Sequence, residues 1–175
     1  MNNTYNMPNL IADIGGTNAR FALCELQGEA ARIHDEVQLR CADYPDIESA
    51  VHHYLQTVGE RRTIAGAAFA IAASLTGDQI SMTNHSWRFT VSGLRQKLGL
   101  QRLILLNDFT ALAMAIRHLP RNELQQVGGT PHASTAPIAL LGAGTGLGVS
   151  APSSAIGAVD ACGVPPTCCS SLRGK

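Results

Sequence analysis

Apolar residues fall along this chain in short blocks, and the spacing within each block switches between two periods. Leu10 to Ile14 reads as a short buried strand that ends in the turn Gly15-Gly16. Ala19 to Glu25 is strand-like again, with Phe21 and Leu23 on one face. Ile33, Val37 and Leu39 then alternate with His34, Glu36, Gln38 and Arg40, the period-two pattern of a half-buried strand. Three strands joined by short turns predict an antiparallel meander. After Pro45 the period changes. Ile47, Val51, Tyr54 and Leu55 fall on one face of a 3.6-residue repeat and predict a helix. Ile64 to Ala73 is a long run of small apolar residues, suited to a central strand. Thr76-Gly77-Asp78 is a turn, and Gln79 to Thr83 can return as a hairpin strand.

The second half repeats the alternation. Ser92 is placed to cap a short helix through Leu98, ended by Gly99. Leu103 to Leu106 predicts the next strand. Asp108 sits where a helix N-cap belongs, with Phe109, Leu112, Ala113 and Ile116 as the buried face and Pro120 beyond the end. Ile138 to Leu141 predicts a further strand, running into the glycine-rich stretch Gly142 to Gly148. Strands alternating with helices after an opening meander indicate an α/β layer fold with a mixed sheet. Residues 9–150 carry this pattern. Residues 151–175 show neither period and hold three cysteines and three prolines, so they read as an unstructured tail.

Composition narrows the function classes. The chain has 175 residues, 45% of them hydrophobic and 15% charged, which is enough apolar sequence for a core. Thirteen basic residues balance thirteen acidic ones, with no basic stripe, so neither nucleic acid nor an anionic membrane is the expected partner. There is no apolar run long enough to span a bilayer, and Met1 to Asn9 lacks a signal-peptide pattern. A cytoplasmic location is therefore expected. Cys24, Cys41, Cys162, Cys168 and Cys169 lack the paired short spacings of a zinc site.

Three stretches can carry chemistry, and each follows a predicted strand, where open α/β sheets bind ligands. In Asp13-Ile14-Gly15-Gly16-Thr17-Asn18, two glycines let the backbone approach a ligand, and their N–H groups with the Thr17 hydroxyl can bond phosphate oxygens. Asp13 can hold Mg²⁺ through water. A plain glycine hairpin with a turn-capping Asp explains the spacing equally well. The second stretch, Gly142 to Gly148, is another possible anion cradle, but it fits neither the Walker A nor the dinucleotide pattern. The third is Asn107-Asp108. A carboxylate at a strand end can take a hydroxyl proton, and the neighbouring amide can bond sugar hydroxyls. On the residues alone, helix capping is the stronger reading of Asp108. His52 and His53 lie mid-helix with one expected to face solvent. His85 and Trp87 are placed to shape a cleft wall but pair with no nucleophile.

Taken in order, LIADIGGTNAR (Leu10 to Arg20), Thr76-Gly77-Asp78, MTNHSW (Met82 to Trp87), LNDFTA (Leu106 to Ala111) and GAGTGLGVS (Gly142 to Ser150) resemble the bacterial glucokinase family. That family belongs to the sugar kinase, actin and Hsp70 superfamily. The resemblance implies a ribonuclease-H-like mixed sheet with flanking helices, a second domain that is missing here, and ATP with Mg²⁺ as cofactors. It implies that Ala12, Asp13, Ile14, Gly15, Gly16, Thr17 and Asn18 form the first phosphate loop, and that Gly144, Thr145 and Gly146 belong to the second. Asp108 becomes the general base for the sugar 6-hydroxyl, and Asn107 binds sugar hydroxyls beside it.

The implied activity is ATP-dependent phosphorylation of glucose to glucose 6-phosphate, a step of glycolysis. A kinase for another hexose or an amino sugar, and a non-catalytic remnant or sugar-binding module, are the alternatives. A sugar-sensing transcriptional regulator would need a helix-turn-helix before the loop, and the loop begins at Asp13. A homodimer stays open. Two departures from the family pattern stand out. Ser74 replaces the usual proline, and no Glu-x-Gly-x-His sugar-binding motif follows the second glycine loop. Impaired activity is therefore expected of these 175 residues alone.

Overall fold

The computed structural model describes residues 7–28, 30–59, 64–129, 140–143 and 147–150. The expected meander is present. Strands β1 (Asn9–Ile14), β2 (Asn18–Gln27) and β3 (Ala30–Arg40) pair antiparallel in sequence order. Helix α1 (Ile47–Thr57) then carries the chain to β4 (Gly66–Ile71), which pairs parallel with β1. A short hairpin of β5 (Gln79–Ser81) and β6 (Arg88–Thr90) and helix α2 (Val91–Lys97) lead to β7 (Arg102–Asn107), parallel to β4. The five-stranded order is β3-β2-β1-β4-β7, the mixed ribonuclease-H-like sheet that the resemblance implies. Helix α3 (Asp108–Ala115) follows β7 without a loop.

Period-two alternation decides which side chains are covered. Leu10, Ala12 and Ile14 of β1 lie in register with Leu23, Phe21 and Ala19 of β2 and with Ala67, Phe69 and Ile71 of β4. All nine are buried, in one cluster with Ile47, Val51 and Tyr54 of α1 and Leu94 of α2. Both helices therefore cover the same face of the sheet. Phe21 stacks on Tyr54 at 5.4 Å between ring centres and meets Phe69 edge-on at 6.5 Å. Such pairs contribute about 0.5–1.5 kcal/mol each beyond their buried area. On the other face, Ile11, Ala68, Ala70, Ile104 and Leu106 are only half-buried.

A bulge bends the outer hairpin. Phe21 pairs with Val37 but Leu23 pairs with His34, so β3 carries an additional residue there. Asp35 absorbs it at φ 54°, and the Tyr54 hydroxyl donates to its carbonyl at 2.9 Å.

Several expected boundaries are corrected. The helix after Pro45 is capped by Asp46, whose carboxylate accepts from Ser49 N and Ser49 Oγ, each at 2.7 Å. Thr90, not Ser92, caps α2 by accepting from Gly93 N at 3.1 Å. Ser92 instead donates twice to the Asp78 carboxylate, which ties the Thr76-Gly77-Asp78 turn to the helix. The apolar face expected for α3 is buried only at Ala113, and Leu112 is 47% exposed. The central strand is Gly66–Ile71, shorter than the run from Ile64 to Ala73, and only its Ala67–Ile71 pairs on both sides. Trp87 is fully buried in the core, donating from Nε1 to the Tyr44 carbonyl at 3.0 Å. His52 and His53 are both exposed.

The bonds from Ser49, side chain first and backbone second, hold the Asp46 carboxyl below its ordinary value of 3.8. Its contribution to stability is therefore full above that value and is lost as pH falls through the lower folded value. Asp46→Ala is expected to cost about 1 kcal/mol, the usual loss for a cap, and the deficit should shrink in acid. Thermal unfolding of both chains at neutral pH and at pH 3 checks this. An equal deficit at both would remove the carboxylate from the cap.

The chain divides into two compact units, Met1–Leu112 and Ala113–Lys175. In the second, β8 (Leu140–Ala143) and β9 (Leu147–Ser150) form an antiparallel hairpin. Of the strand expected over Ile138 to Leu141, the described residues show Leu140 and Leu141 within β8; residues 130–139 lie outside the described residues, as does the tail from residue 151.

Candidate active site

Ile14, Ile71 and Asn107 stand side by side in register at the carboxyl ends of β1, β4 and β7. With strands about 4.8 Å apart, the first glycine loop and Asp108 are separated by roughly 10 Å along this rim. The sequence places them about ninety residues apart, and parallel pairing brings them together.

The loop itself is tightly determined. Gly15 N donates to Asn18 O at 2.9 Å and closes a turn between β1 and β2. Cys41, fully buried, holds it from below. Its N–H donates to Thr17 O at 2.9 Å and its thiol to Gly15 O at 3.5 Å. Burial raises the thiol above its ordinary 9.0, partly offset by a backbone hydrogen bond, so the thiol stays protonated and able to donate. On the other side, a Cβ placed on Gly16 would lie 2.8 Å from Asn84 Cβ and 3.2 Å from Asn84 O. Gly16 is therefore required by the close approach of the Met82-to-Trp87 segment. Nothing in the sequence marked Cys41 as the loop's support.

Asp13 leaves the outer face of β1 exposed, in register with Arg20 of β2. Cross-strand neighbours of opposite charge commonly pair. Here Arg20 turns to Glu36 at 3.2 Å and Gln38 at 3.4 Å instead. Among the described residues the Asp13 carboxylate has no ion pair, and no group of three or more acidic, His or Cys side chains is placed to hold a metal. One free carboxylate fits Mg²⁺, which keeps most of its shell as water and phosphate oxygen.

At the far end of the rim the expected roles of two neighbours change. Asn107, not Asp108, caps α3. Its Oδ1 accepts from Phe109 N at 3.1 Å and Thr110 N at 3.3 Å, and its Nδ2 donates to Ala73 O at 3.2 Å. The Ala73 segment in turn bridges to Met82, and Thr83 N donates to Ala72 O at 3.3 Å. A chain of contacts thus runs from the loop through Asn84 and Ala73 to Asn107. Ser74, where the family's proline is expected, is exposed beside this path. Asp108 is half-buried, and its Oδ1 accepts from Phe109 N at 2.9 Å. Gly144, Thr145 and Gly146 lie outside the described residues. The strands flanking them pair from Leu140↔Ser150 to Ala143↔Leu147.

The arrangement combines a backbone cradle, a free carboxylate beside it and a second carboxylate on the same rim. The glucokinase family model matches residues 10–159. Glucokinase of Chromobacterium violaceum is 52% identical over 144 residues, covering 82% of this chain and 40% of that protein. Glucokinase of Psychromonas ingrahamii is 46% identical over 140 residues, covering 80% of this chain and 42% of that protein. The crystal structure of glucokinase from an Antarctic psychrotroph superimposes with a TM-score of 0.71 at 34% identity, covering 82% of this chain and 45% of that one. A ROK family glucokinase from Streptomyces griseus, in complex with glucose and AMPPNP, has a TM-score of 0.57 at 20% identity and shares the fold. The chain therefore spans about two fifths of the length of the relatives it matches.

Proposed function

The chain belongs to the glucokinase family, and from that premise we propose that it supplies the phosphate-loop and base half of an ATP-dependent hexose kinase acting on glucose in the cytoplasm. The observation that supports this best is the shared rim, where Asp13 and the Gly15–Asn18 turn at the end of β1 and Asp108 at the end of β7 lie on either side of β4. Phosphoryl transfer needs mainly positioning and charge neutralisation. The Gly15, Gly16 and Thr17 segment offers N–H groups and a hydroxyl to phosphate oxygens. Gly144, Thr145 and Gly146 are assigned to the same task on the second loop. Asp13 would hold Mg²⁺ through water, and the ion would supply positive charge to the phosphates.

Asp108 accepts the proton of the sugar 6-hydroxyl as that oxygen bonds to the γ-phosphorus of ATP and the bond to the β-phosphate oxygen breaks. The products are glucose 6-phosphate and ADP. Asn107 has committed its oxygen and one amide hydrogen to the fold, so it meets a sugar hydroxyl only as a donor. The 175 residues alone are proposed to turn over little or nothing, because more than half of each relative's length has no counterpart in the match.

The test uses a protein joining residues 1–150 to the remaining sequence of a complete relative. Asp13→Ala in that protein is expected to raise the apparent KM for MgATP at least tenfold while the KM for glucose changes less than twofold. An unchanged response to MgATP would take Asp13 out of the phosphate site.

A further inference from the structure

Two side-chain oxygens compete for one backbone donor at the start of α3. Phe109 N–H points to both Asn107 Oδ1, at 3.1 Å, and Asp108 Oδ1, at 2.9 Å. The first N–H groups of a helix lack partners within it, so some acceptor must satisfy them. If Asp108 alone took that duty, its carboxylate would be committed to the backbone.

We infer that Asn107 is a positioning residue, which takes over the capping of α3 so that the Asp108 carboxylate stays available to a substrate hydroxyl. This rests on the reading of Asp108 as the proton acceptor.

Three features carry it. The carboxamide can sit in only one orientation. Its oxygen must face the donors of Phe109 and Thr110, and its nitrogen must face the Ala73 carbonyl. That orientation is held from a different strand, since Ala73 follows β4 while Asn107 ends β7. The capping oxygen therefore cannot swing away when substrate arrives. Finally, the second carboxylate oxygen of Asp108 has no partner among the described residues, and the first shares its donor. An aspartate at position 107 would keep the acceptor but lose the bond to Ala73 and set a second carboxylate beside the first. An asparagine meets all three demands.

The experiment is solution NMR on the isotope-labelled 175-residue chain, unmodified and as Asn107→Ala and Asn107→Ser. In the unmodified chain one carboxamide proton of Asn107 should exchange slowly, held by Ala73, and the other freely. The three-bond couplings of Asp108 should report averaging between χ1 rotamers. In Asn107→Ala the Thr110 amide should exchange roughly fivefold faster, the loss typical of a cap, and Asp108 should collapse to one rotamer on Phe109 N–H. In Asn107→Ser, a good cap, both should return toward the unmodified values. Identical Asp108 couplings in the unmodified chain and Asn107→Ala would overturn the inference. So would two freely exchanging carboxamide protons, which needs no variant to fold. If the couplings behave as expected but Asp108→Asn keeps its kcat in the joined protein, Asn107 still frees the carboxylate and only the base assignment fails.

Discussion

Asp108→Asn, placed in a protein that joins residues 1–150 to the remainder of a complete relative, should lower kcat by about 10²–10⁴, the usual range for a lost general base. The fold should survive. Asp108 is half-buried, has no ion pair among the described residues, and its one described hydrogen bond, from Phe109 N, can be taken equally by the Asn oxygen. The cap of α3 rests on Asn107 and is untouched. The KM for glucose should change far less than kcat, because an amide of the same shape still meets the hydroxyl but cannot take its proton. A variant with most of its kcat would reduce Asp108 to a residue of the helix start. Unfolding curves of the two proteins, run alongside, separate lost chemistry from lost structure.

Much of the fold was legible in period alone. The alternation of Val37 and Leu39 placed the inner part of β3, and the face of Ile47, Val51 and Tyr54 placed α1, because both bury one side against the same core, whereas the bulge at Asp35 turns Ile33 outward to 59% exposure. The strands of small apolar residues were visible for the opposite reason. Gly66–Ile71 is central, paired on both edges, and reads as a continuous run. The caps were not legible. Ser92 and Thr90 are both good capping residues, and only the hydrogen bonds of Asp78 to Ser92 decide between them. The same holds at Asn107-Asp108. Either side chain suits a helix start, and the choice depends on the Ala73 carbonyl, thirty-four residues away in sequence. Cys41 carried no sequence signal at all, since a lone buried cysteine looks the same wherever it packs. The burial of Trp87 was equally silent in a polar-looking segment, because Tyr44 O satisfies its one donor and lets the ring be buried.

The second large effect concerns the 175 residues by themselves. They should fold at least over the five-stranded sheet, because its covered face already unites two helices and three strands in one core. They should show no glucose phosphorylation above background. Kinases of this kind are expected to react in a closed cleft, where closure excludes water and completes the site. The matched relatives have more than half their length outside the match, and no Glu-x-Gly-x-His motif follows Gly148 here. A misplacement of about 1 Å can lower a rate by on the order of 10²-fold, and the relatives' remaining length is the expected source of further contacts to sugar and nucleotide. The half-buried face of Ile11, Ala68, Ala70, Ile104 and Leu106, with Leu112 47% exposed, should also make the isolated chain prone to associate.

One assay brings these expectations together. Glucose 6-phosphate is followed with a coupled dehydrogenase for three purified proteins at equal concentration: the 175-residue chain, the joined protein and the joined protein carrying Asp108→Asn. Turnover is expected from the joined protein alone, with the other two at or near background. A joined protein that folds yet is silent, or one whose turnover survives Asp108→Asn, would contradict the assignment of the phosphate loop and base to this half. Asp108-dependent turnover by the 175-residue chain would contradict its dependence on the rest.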